Sequence, residues 1–319
     1  MNVLADIPGV QVGHAHNFDA ATGCTVILTP NGAVCGVDQR GGAPGTRETD
    51  LLRPMHLVQQ VHAVLLAGGS AFGLAAADGV MHRLEAQGIG FDTGVARVPV
   101  VPGAVLFDLA IGRADIRPDA EMGAAAFDAA AGGTNAREQG SVGAGAGATV
   151  GKILGMDACT KAGVGQAAIQ VAPGLWVGAL IAVNAFGDVV DPASGQILAG
   201  ARKLPNGGFA DTMRLLPQMS SNFAAAGNTV IGVVATNAAL SKEAANKVAQ
   251  MAHNGLARTI RPAHTMFDGD TLFALATGQG APAQATLIGA FAAEAVAQAV
   301  VNSVKYAAGL AGVPALQGD

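Results

Sequence analysis

The sequence predicts an α+β protein in which β-sheets are covered by helices. Candidate strands and hairpins are mixed with long alanine-rich helical patterns, the combination expected when helices pack on sheets. Half of the 319 residues are hydrophobic and 13% are charged, so much of the chain must be buried. The 45 glycines and many alanines allow backbone layers to approach closely. The length suits one large layered domain or two ordinary ones.

Strands are predicted where β-branched or apolar runs of strand length end at glycine or polar residues. In chain order these runs are Cys24–Leu28, Ala33–Val37, Val61–Ala67, Leu175–Asn184, Val189–Asp191, Thr229–Ala235 and Thr271–Ala276. Two of the intervening segments, Pro30-Asn31-Gly32 and Gly187-Asp188, are typical hairpin turns. Both are therefore predicted to join antiparallel neighbours.

Helices are predicted where apolar residues recur at helical spacing between capping residues. They run from Ser70 to Ala86 with Gly88 as C-cap, from Pro118-Asp119 to Gly132-Gly133, from Ser241 onward, and over Ala285–Ala308. In the third helix, Ala244, Val248, Met251 and Ala252 share one face. The segment Pro205–Gly227 has no clear period and is predicted to lie on the surface.

Composition excludes several classes of function. A net charge of −5, 4% aromatic residues and the absence of lysine- or arginine-rich runs argue against a nucleic-acid partner. Residues 1–8 lack the pattern of a secretory signal. Mean hydropathy is +0.39, but apolar stretches such as Val61–Ala67 and Ala179–Val183 have strand length, so no membrane span is predicted. We expect a cytoplasmic protein with free, mostly buried thiols at Cys24, Cys35 and Cys159.

Two familiar motifs fail on inspection. The glycine-rich segment Gly140–Gly155 contains Lys152, but Ala146 and Ile153 stand where a phosphate-binding loop needs glycine and a hydroxyl residue. We therefore predict a close-packed turn that delivers Lys152 to a site. The Gly68-Gly69-Ser70-Ala71-Phe72 segment lacks the final glycine of a nucleophile elbow, so Ser70 is interpreted as a helix N-cap.

Metal and cofactor sites are not predicted. Asp268-Gly269-Asp270 could open a calcium loop, but Leu272 occupies the position of the third oxygen ligand. His14 and His16 have no carboxylate or thiolate cluster beside them in the sequence.

The junction between Asn228 and Thr229 has a distinct chemical logic. If the peptide bond before Thr229 were broken, the threonine hydroxyl and a free α-amine would share one residue. An α-amine has a pKa of roughly 8 and can serve as base for the neighbouring hydroxyl. On spacing alone, a Gly-Asn turn before a strand that starts with threonine explains the same residues.

The surroundings of this junction favour the chemical interpretation. Ordered matches extend over the whole chain: Ile7–His14, Asp38–Gly42, Leu66–Ser70, Gly143–Gly151, Val183–Asp188 and Ala225–Gly278. Together they resemble the DmpA-type peptidase family of β-aminopeptidases and nylon-oligomer (6-aminohexanoate-oligomer) hydrolases. Thr229 and the Asp268-Gly269-Asp270 triplet are more similar to the nylon-oligomer hydrolases than to the members with a serine nucleophile.

The resemblance implies a fold and a maturation step. We expect one αββα sandwich over residues 1–319, of the N-terminal-nucleophile type shared with ornithine acetyltransferases. The precursor would cut itself into an α chain, 1–228, and a β chain, 229–319, that stay in one folded unit. Thr229 would then attack an amide carbonyl and form an acyl-enzyme, which water hydrolyses.

The same resemblance assigns roles to further residues. Asn184 would donate its side-chain amide to the oxyanion, and Lys152 would sit near Thr229 and keep its α-amine a competent base. Asp268 and Asp270, two residues apart in an extended segment, point to one side and could hold the amine. Phe72 occupies a position that is commonly tyrosine in the family, so substrate binding there lacks one hydroxyl.

Three functions stay open at this point. The first is an amide hydrolase for small peptides or ω-amino-acid oligomers that needs no cofactor and forms a homo-oligomer, a tetramer or larger. The second is an acyl transferase similar to ornithine acetyltransferase. The third is an unprocessed, non-catalytic binding protein that keeps the fold.

Overall fold

The computed structural model describes residues 2–205, 207–218 and 227–316. The strands are β1 Gln11–Asn17, β2 Thr22–Gln39, β3 Thr46–Arg47, β4 Val61–Ala67, β5 Phe91–Asp92, β6 Arg97–Val98, β7 Gly103–Val105, β8 Thr149–Val150, β9 Thr160–Lys161, β10 Val164–Ala172, β11 Leu175–Asn184, β12 Asp188–Val190, β13 Ile197–Ala199, β14 Thr229–Thr236, β15 Ile260–Arg261 and β16 Thr271–Ala276. The α-helices are α1 Ala76–Ala86, α2 Ala120–Gly132, α3 Thr212–Leu215, α4 Lys242–Thr259 and α5 Ala285–Lys305. Short 3₁₀ helices occupy Leu4–Asp6, Asp50–Leu52, Ser70–Ala75, Gly143–Gly145, Met156–Ala158 and Leu216–Gln218.

The chain forms an αββα sandwich. Its main strands follow the order β10-β11-β14-β16-β2-β4-β7-β3, with β1 also paired to β2. Strand β2 joins the two sheets, because its first part pairs with β1 and β4 and its last part pairs with β16. Helices α1 and α2 pack on the β4 side, and α4 and α5 pack on the β11 side. A central hydrophobic cluster lies between the sheets.

Strand β14 shows why these sequences are apolar on both faces. Val230 and Val234 pack toward α4 and α5, whereas Ile231 and Val233 belong to the cluster between the sheets. Because side chains alternate along a strand, a strand in an inner layer buries both faces. The β-branched, apolar run that predicted this strand is the result of that double burial.

Glycine sets the distance between the helices and the sheets. A Cβ added to Gly165 of β10 would lie 1.9 Å from the Ala299 carbonyl oxygen of α5. At Gly36 of β2, an added Cβ would lie 2.3 Å from the Asn246 nitrogen of α4. The close layers expected from the glycine content are therefore confirmed at specific contacts.

Most predicted elements are confirmed. Val61–Ala67, Leu175–Asn184 and Thr271–Ala276 have the predicted bounds. The caps of two helices are side-chain acceptors: Asp119 Oδ1 accepts from the Met122 N–H at 3.0 Å, and Ser241 Oγ accepts from the Ala244 N–H at 3.2 Å.

Both predicted hairpins are wrong. Cys24–Leu28 and Ala33–Val37 are parts of one strand, since Gly32, at φ +79°, bends β2 at a register shift instead of reversing it. Strand β12 does not pair with β11, because both edges of β11 are already taken by β10 and β14. Instead β12 pairs with β13 and β15 in a separate small sheet.

Three smaller predictions change in the structure. Ser70 is not a cap: Gly69 occupies that position without a side-chain hydrogen bond. In α4 the buried face runs through Ala245, Val248 and Ala252, and Ala244 is only half-buried. Within Pro205–Gly227, residues 213–218 are exposed or half-buried, and residues 206 and 219–226 lie outside the described residues.

Helix α5 is long and apolar enough to cross a membrane by length and composition, although no such span was predicted. Its most apolar window is 72% buried inside the fold, where it packs on β10 and β11. Core packing therefore accounts for its composition. Cys24, Cys35 and Cys159 are free and buried, as expected.

We expect Gly165→Ala to lower the free energy of unfolding by about 2–3 kcal/mol, because α5 must move away from β10. Urea unfolding measures this change. Gly132→Ala is the matched control: its nearest neighbour to an added Cβ is a side-chain carbon of Thr134 at 3.5 Å. Equal stability of the two variants would contradict close packing at Gly165.

Candidate active site

Three strand ends meet at one edge of the sheet. Asn184 ends β11 and lies directly opposite Thr229, the first residue of β14. Parallel pairing of β14 with β16 then aligns Asn228 with Asp268. The strand pairing thus brings together residues that are far apart in the chain.

Thr229 is buried, and its hydroxyl touches the peptide group that precedes it. The Thr229 Oγ1–H donates to the Asn228 carbonyl oxygen. The same oxygen accepts the Gly269 backbone N–H at 2.9 Å. Two donors on one carbonyl oxygen polarise the C=O bond and would stabilise negative charge developing there.

Gly269 has no room for a side chain. An added Cβ would lie 2.8 Å from Thr229 Oγ1 and 2.6 Å from the Ala43 carbonyl oxygen. The glycine between the two aspartates is therefore required by the Ala43 backbone together with the Thr229 hydroxyl.

Lys152 fixes the orientation of the Asn184 side chain. The Lys152 Nζ donates to Asn184 Oδ1 at 2.8 Å and to the Asn184 carbonyl oxygen at 3.2 Å. Because an ammonium only donates, the amide oxygen must face it and the amide nitrogen must face away. Asn184 Nδ2 donates to the Phe107 carbonyl oxygen at 2.9 Å. Its second N–H has no acceptor among the described residues.

Burial changes the proton affinity of Lys152. Loss of solvation lowers its pKa to about 8, against the opposing attraction of Cys159 and Asp268. The ammonium therefore loses its proton at a much lower pH than an exposed lysine does.

A second buried lysine holds the loop that carries Lys152. Lys161 Nζ donates to the carbonyl oxygens of Gly145, Ala148 and Ala162. Burial lowers the pKa of Lys161 to about 7. The predicted close-packed turn is confirmed, and its carbonyl groups are satisfied by this ammonium.

The two aspartates bind backbone groups around the junction. Asp268 accepts from the Phe186 N–H at 3.2 Å and the Thr265 N–H at 3.0 Å. Asp270 Oδ1 accepts from the Val230 N–H at 2.8 Å, next to Thr229. Burial, and then the charge of Asp270, raise the pKa of Asp268. The carboxylates thus flank the start of β14 from the neighbouring strand.

A small cavity adjoins this cluster. It is lined by residues that include Lys152, Thr149, Phe107, Met156 and Gly227. An added Cβ at Gly227 would lie 2.7 Å from the Phe107 Cβ. The residue two positions before Thr229 therefore closes one wall of the space beside Lys152.

Phe72 is exposed and stacks with an arginine. Its side chain is 58% exposed, and the Arg117 guanidinium stacks on its ring at 4.0 Å. The described contacts do not link it to Thr229, and its part in substrate binding stays a prediction. Among the described residues, no group of three or more His, Cys, Asp or Glu side chains could hold a metal ion.

Several participants could not be found from the sequence. The Gly269 N–H and the Phe107 carbonyl are backbone groups, which residue type does not reveal. Thr149, whose N–H donates to Asn184 Oδ1 at 3.1 Å, lies in the glycine-rich segment but has no motif of its own. His264 binds Asp270 and precedes the Asp-Gly-Asp triplet by four residues, yet a lone histidine carries no signal.

Known proteins resemble this chain along its length. The model of Peptidase family S58 matches residues 2–316. An uncharacterized aminopeptidase of Mycobacterium tuberculosis is 47% identical over 98% of this chain and 96% of its own length. A 6-aminohexanoate-oligomer endohydrolase of a Kocuria species is 33% identical over 94% of this chain and 85% of its own.

Solved structures share the fold. A β-aminopeptidase of a Burkholderia species aligns with a TM-score of 0.69 at 23% identity, covering 99% of this chain and 91% of its own. An L-aminopeptidase D-Ala-esterase/amidase of Ochrobactrum anthropi, described as a variant of the Ntn hydrolase fold, aligns at 0.69 and 18% identity, covering 96% and 86%. The expected N-terminal-nucleophile type of αββα fold is therefore confirmed.

We expect Lys152→Met to change how stability depends on pH. Below pH 8 the Lys152 ammonium is charged in both the folded and the unfolded chain, so its burial costs folding free energy. Between pH 8 and 10.5 the folded chain loses the proton first, and the free energy of unfolding rises with pH by about 3 kcal/mol. Lys152→Met removes this rise.

Urea unfolding at pH 7 and pH 10 measures this rise in the free energy of unfolding for the protein with Lys152 and for the protein with Lys152→Met. Both proteins carry Thr229→Ala, so that the comparison holds whether or not the chain is cut between Asn228 and Thr229. A stability difference between them that is the same at both pH values would contradict a buried Lys152 with a lowered pKa.

Proposed function

Because this chain belongs to peptidase family S58 and is an amide hydrolase, we propose that it cuts itself between Asn228 and Thr229 and then uses Thr229 as its nucleophile. The residues 1–228 and 229–319 become the two chains of one folded enzyme. The match to a peptidase family favours hydrolysis over the acyl-transferase and non-catalytic alternatives.

One observation carries this proposal. The Thr229 hydroxyl is in contact with the carbonyl group of the peptide bond before it, and the Gly269 N–H holds the oxygen of that carbonyl at 2.9 Å. These contacts support Thr229 as the nucleophile, the Asn228 carbonyl as its target and the Gly269 N–H as the oxyanion donor.

The self-cleavage proceeds through an ester. Thr229 Oγ1 attacks the Asn228 carbonyl carbon, its hydroxyl proton passes to the Thr229 nitrogen, and the Gly269 N–H stabilises the negative oxygen. The bond from Asn228 carbon to Thr229 nitrogen breaks, and the nitrogen becomes the α-amine. Water then hydrolyses the ester, which leaves the Asn228 carboxylate and a free Thr229 hydroxyl.

The same threonine hydrolyses the substrate. Its α-amine, with a pKa of roughly 8, takes the hydroxyl proton as Oγ1 attacks the substrate carbonyl. The second N–H of Asn184 Nδ2, which has no acceptor in the described chain, binds the oxyanion. The nearby Lys152 ammonium lowers the proton affinity of the amine. The amine of the substrate leaves with a proton, and water releases the acyl group.

The carboxylates hold the new terminus. Asp270 already accepts the Val230 N–H, and Asp268 is aligned with Asn228 across the strand pair. After the cut, the Thr229 amine is within their reach and gains an acceptor. Asp268 also attracts the buried Lys152 charge.

We propose small peptides and ω-amino-acid oligomers as substrates. Relatives named uncharacterized aminopeptidase and 6-aminohexanoate-oligomer endohydrolase support this range, since both names denote hydrolysis of amide bonds. Phe72 would contact the substrate without the hydrogen bond of a tyrosine. We place the enzyme in the cytoplasm as a homo-oligomer of cut protomers.

We expect Thr229→Ala to abolish both cleavage and amide hydrolysis, whereas Thr229→Ser keeps both at a reduced rate. Intact-mass measurement of the denatured protein reports the cut at Asn228–Thr229. Turnover is measured with amides of α-, β- and ω-amino acids. Hydrolysis that survives in Thr229→Ala would rule out Thr229 as the nucleophile.

We expect Gly269→Ala to slow self-cleavage by at least about tenfold, because the added Cβ displaces the Thr229 hydroxyl or the N–H that binds the scissile carbonyl. The fraction of cut chain is followed over time by denaturing gel. Gly132→Ala is again the control and should mature like the unchanged protein. Normal maturation of a folded Gly269→Ala protein would remove Gly269 from the mechanism.

A further inference from the structure

His264, which is not among the predicted site residues, binds one of the two carboxylates of the site. Two donors of His264 bind the same oxygen of Asp270: the backbone N–H at 3.0 Å and the imidazole Nδ1 at 2.7 Å to Oδ2. His264 is at φ +59°, a conformation that a non-glycine residue rarely adopts. This strained backbone conformation allows both donors of His264 to reach the same carboxylate oxygen.

The other oxygen of Asp270 binds the residue that follows Thr229. Asp270 Oδ1 accepts the Val230 N–H at 2.8 Å, one residue after Thr229. Both oxygens of the Asp270 carboxylate are therefore hydrogen-bonded, one to His264 and the other to the start of β14. Asp270 is 1% exposed, so water cannot replace a lost donor without entering the core.

The ring of His264 packs against a second histidine. The His253 ring of α4 meets the His264 ring at a centroid distance of 4.8 Å and an angle of 70°. His253 Nε2 is bound at 2.9 Å to the Asp38 carbonyl oxygen of β2, and Arg40 pairs with the Asp38 carboxylate. Burial lowers the pKa of His253 to about 4, so this neighbour is uncharged at neutral pH.

These contacts define the protonation pattern of His264. Nδ1 faces a carboxylate and must carry the hydrogen to bind it. Nε2 is buried and has no hydrogen-bond partner among the described residues. The imidazole can therefore donate to Asp270 whether it is neutral or protonated.

We propose that His264 is a positioning residue that acts through Asp270. Its Nδ1–H locks the carboxylate so that Asp270 holds the first residues of β14 before the cut and the Thr229 amine after it. This inference rests on the proposed function. It adds a residue that never touches the substrate but sets the geometry of the group that activates the nucleophile.

Two substitutions separate the hydrogen bond from the backbone strain. Glycine and asparagine both tolerate a positive φ, but only asparagine retains a side-chain N–H near the place of Nδ1. We expect His264→Gly to lower kcat by about 10- to 100-fold with KM changed less than twofold, and to slow the cut. We expect His264→Asn to stay within about threefold of the unchanged enzyme.

The experiment measures kcat, KM and the time course of cleavage for both variants, with thermal unfolding to confirm the fold. Glu48→Gly is the matched control, because Glu48 has φ +58° and lies outside the site. Its kinetics should equal those of the unchanged enzyme.

Two outcomes overturn the proposal: normal kcat and cleavage in His264→Gly, or equal loss in His264→Asn and His264→Gly. If His264→Gly does not fold, His264→Asn alone decides, since activity near normal supports the donor role and a tenfold loss refutes it. Failure of the proposed function is separate, because it shows as hydrolysis retained in Thr229→Ala while His264 is intact.

Discussion

The antiparallel register of β11 and β14 is the constraint on which the site depends. It sets Asn184 opposite Thr229, so that both side chains lie on the same side of the sheet, with Leu180, Ala182, Ile231 and Val233. A slip of one residue would turn Thr229 toward the valines that pack on α4 and α5. The segment that leads into the parallel partner β16 then supplies Asp268 and Asp270 at the same edge.

At this edge of the sheet, backbone N–H groups, more than side chains, are placed to stabilise negative charge. The N–H groups of Phe186, Val230 and Gly269 bind Asp268, Asp270 and the Asn228 carbonyl oxygen. Such donors are positioned by the strands and need no reorganisation when charge develops. Lys152 completes the arrangement as a buried cation whose hydrogen bonds go to one asparagine.

The sequence predicted the layers better than their connections. The β-branched run from Thr229 and the capping Ser241 gave correct elements, since they depend on local properties. The first hairpin failed because Gly32 bends one continuous strand. The second failed because a turn at Gly187 does not reveal that both edges of β11 are already occupied. At the site, the side-chain roles came from a resemblance to a family, and spacing alone left Thr229 ambiguous. The contacts of Gly269 and His264 with the junction and with Asp270 depend on geometry, which only the folded chain contains.

The place of the proposed cut has a consequence for folding. Strands β14 and β16 lie between β11 and β2, so residues on either side of the junction are interleaved in one sheet. While the chain is continuous, these long-range pairings form within one molecule. Once it is cut, the two pieces would have to find each other in solution, and reassembly would depend on their concentration. With maturation of this kind, the chain folds once, before the cut. The lifetime of the cut enzyme then depends on its rate of unfolding.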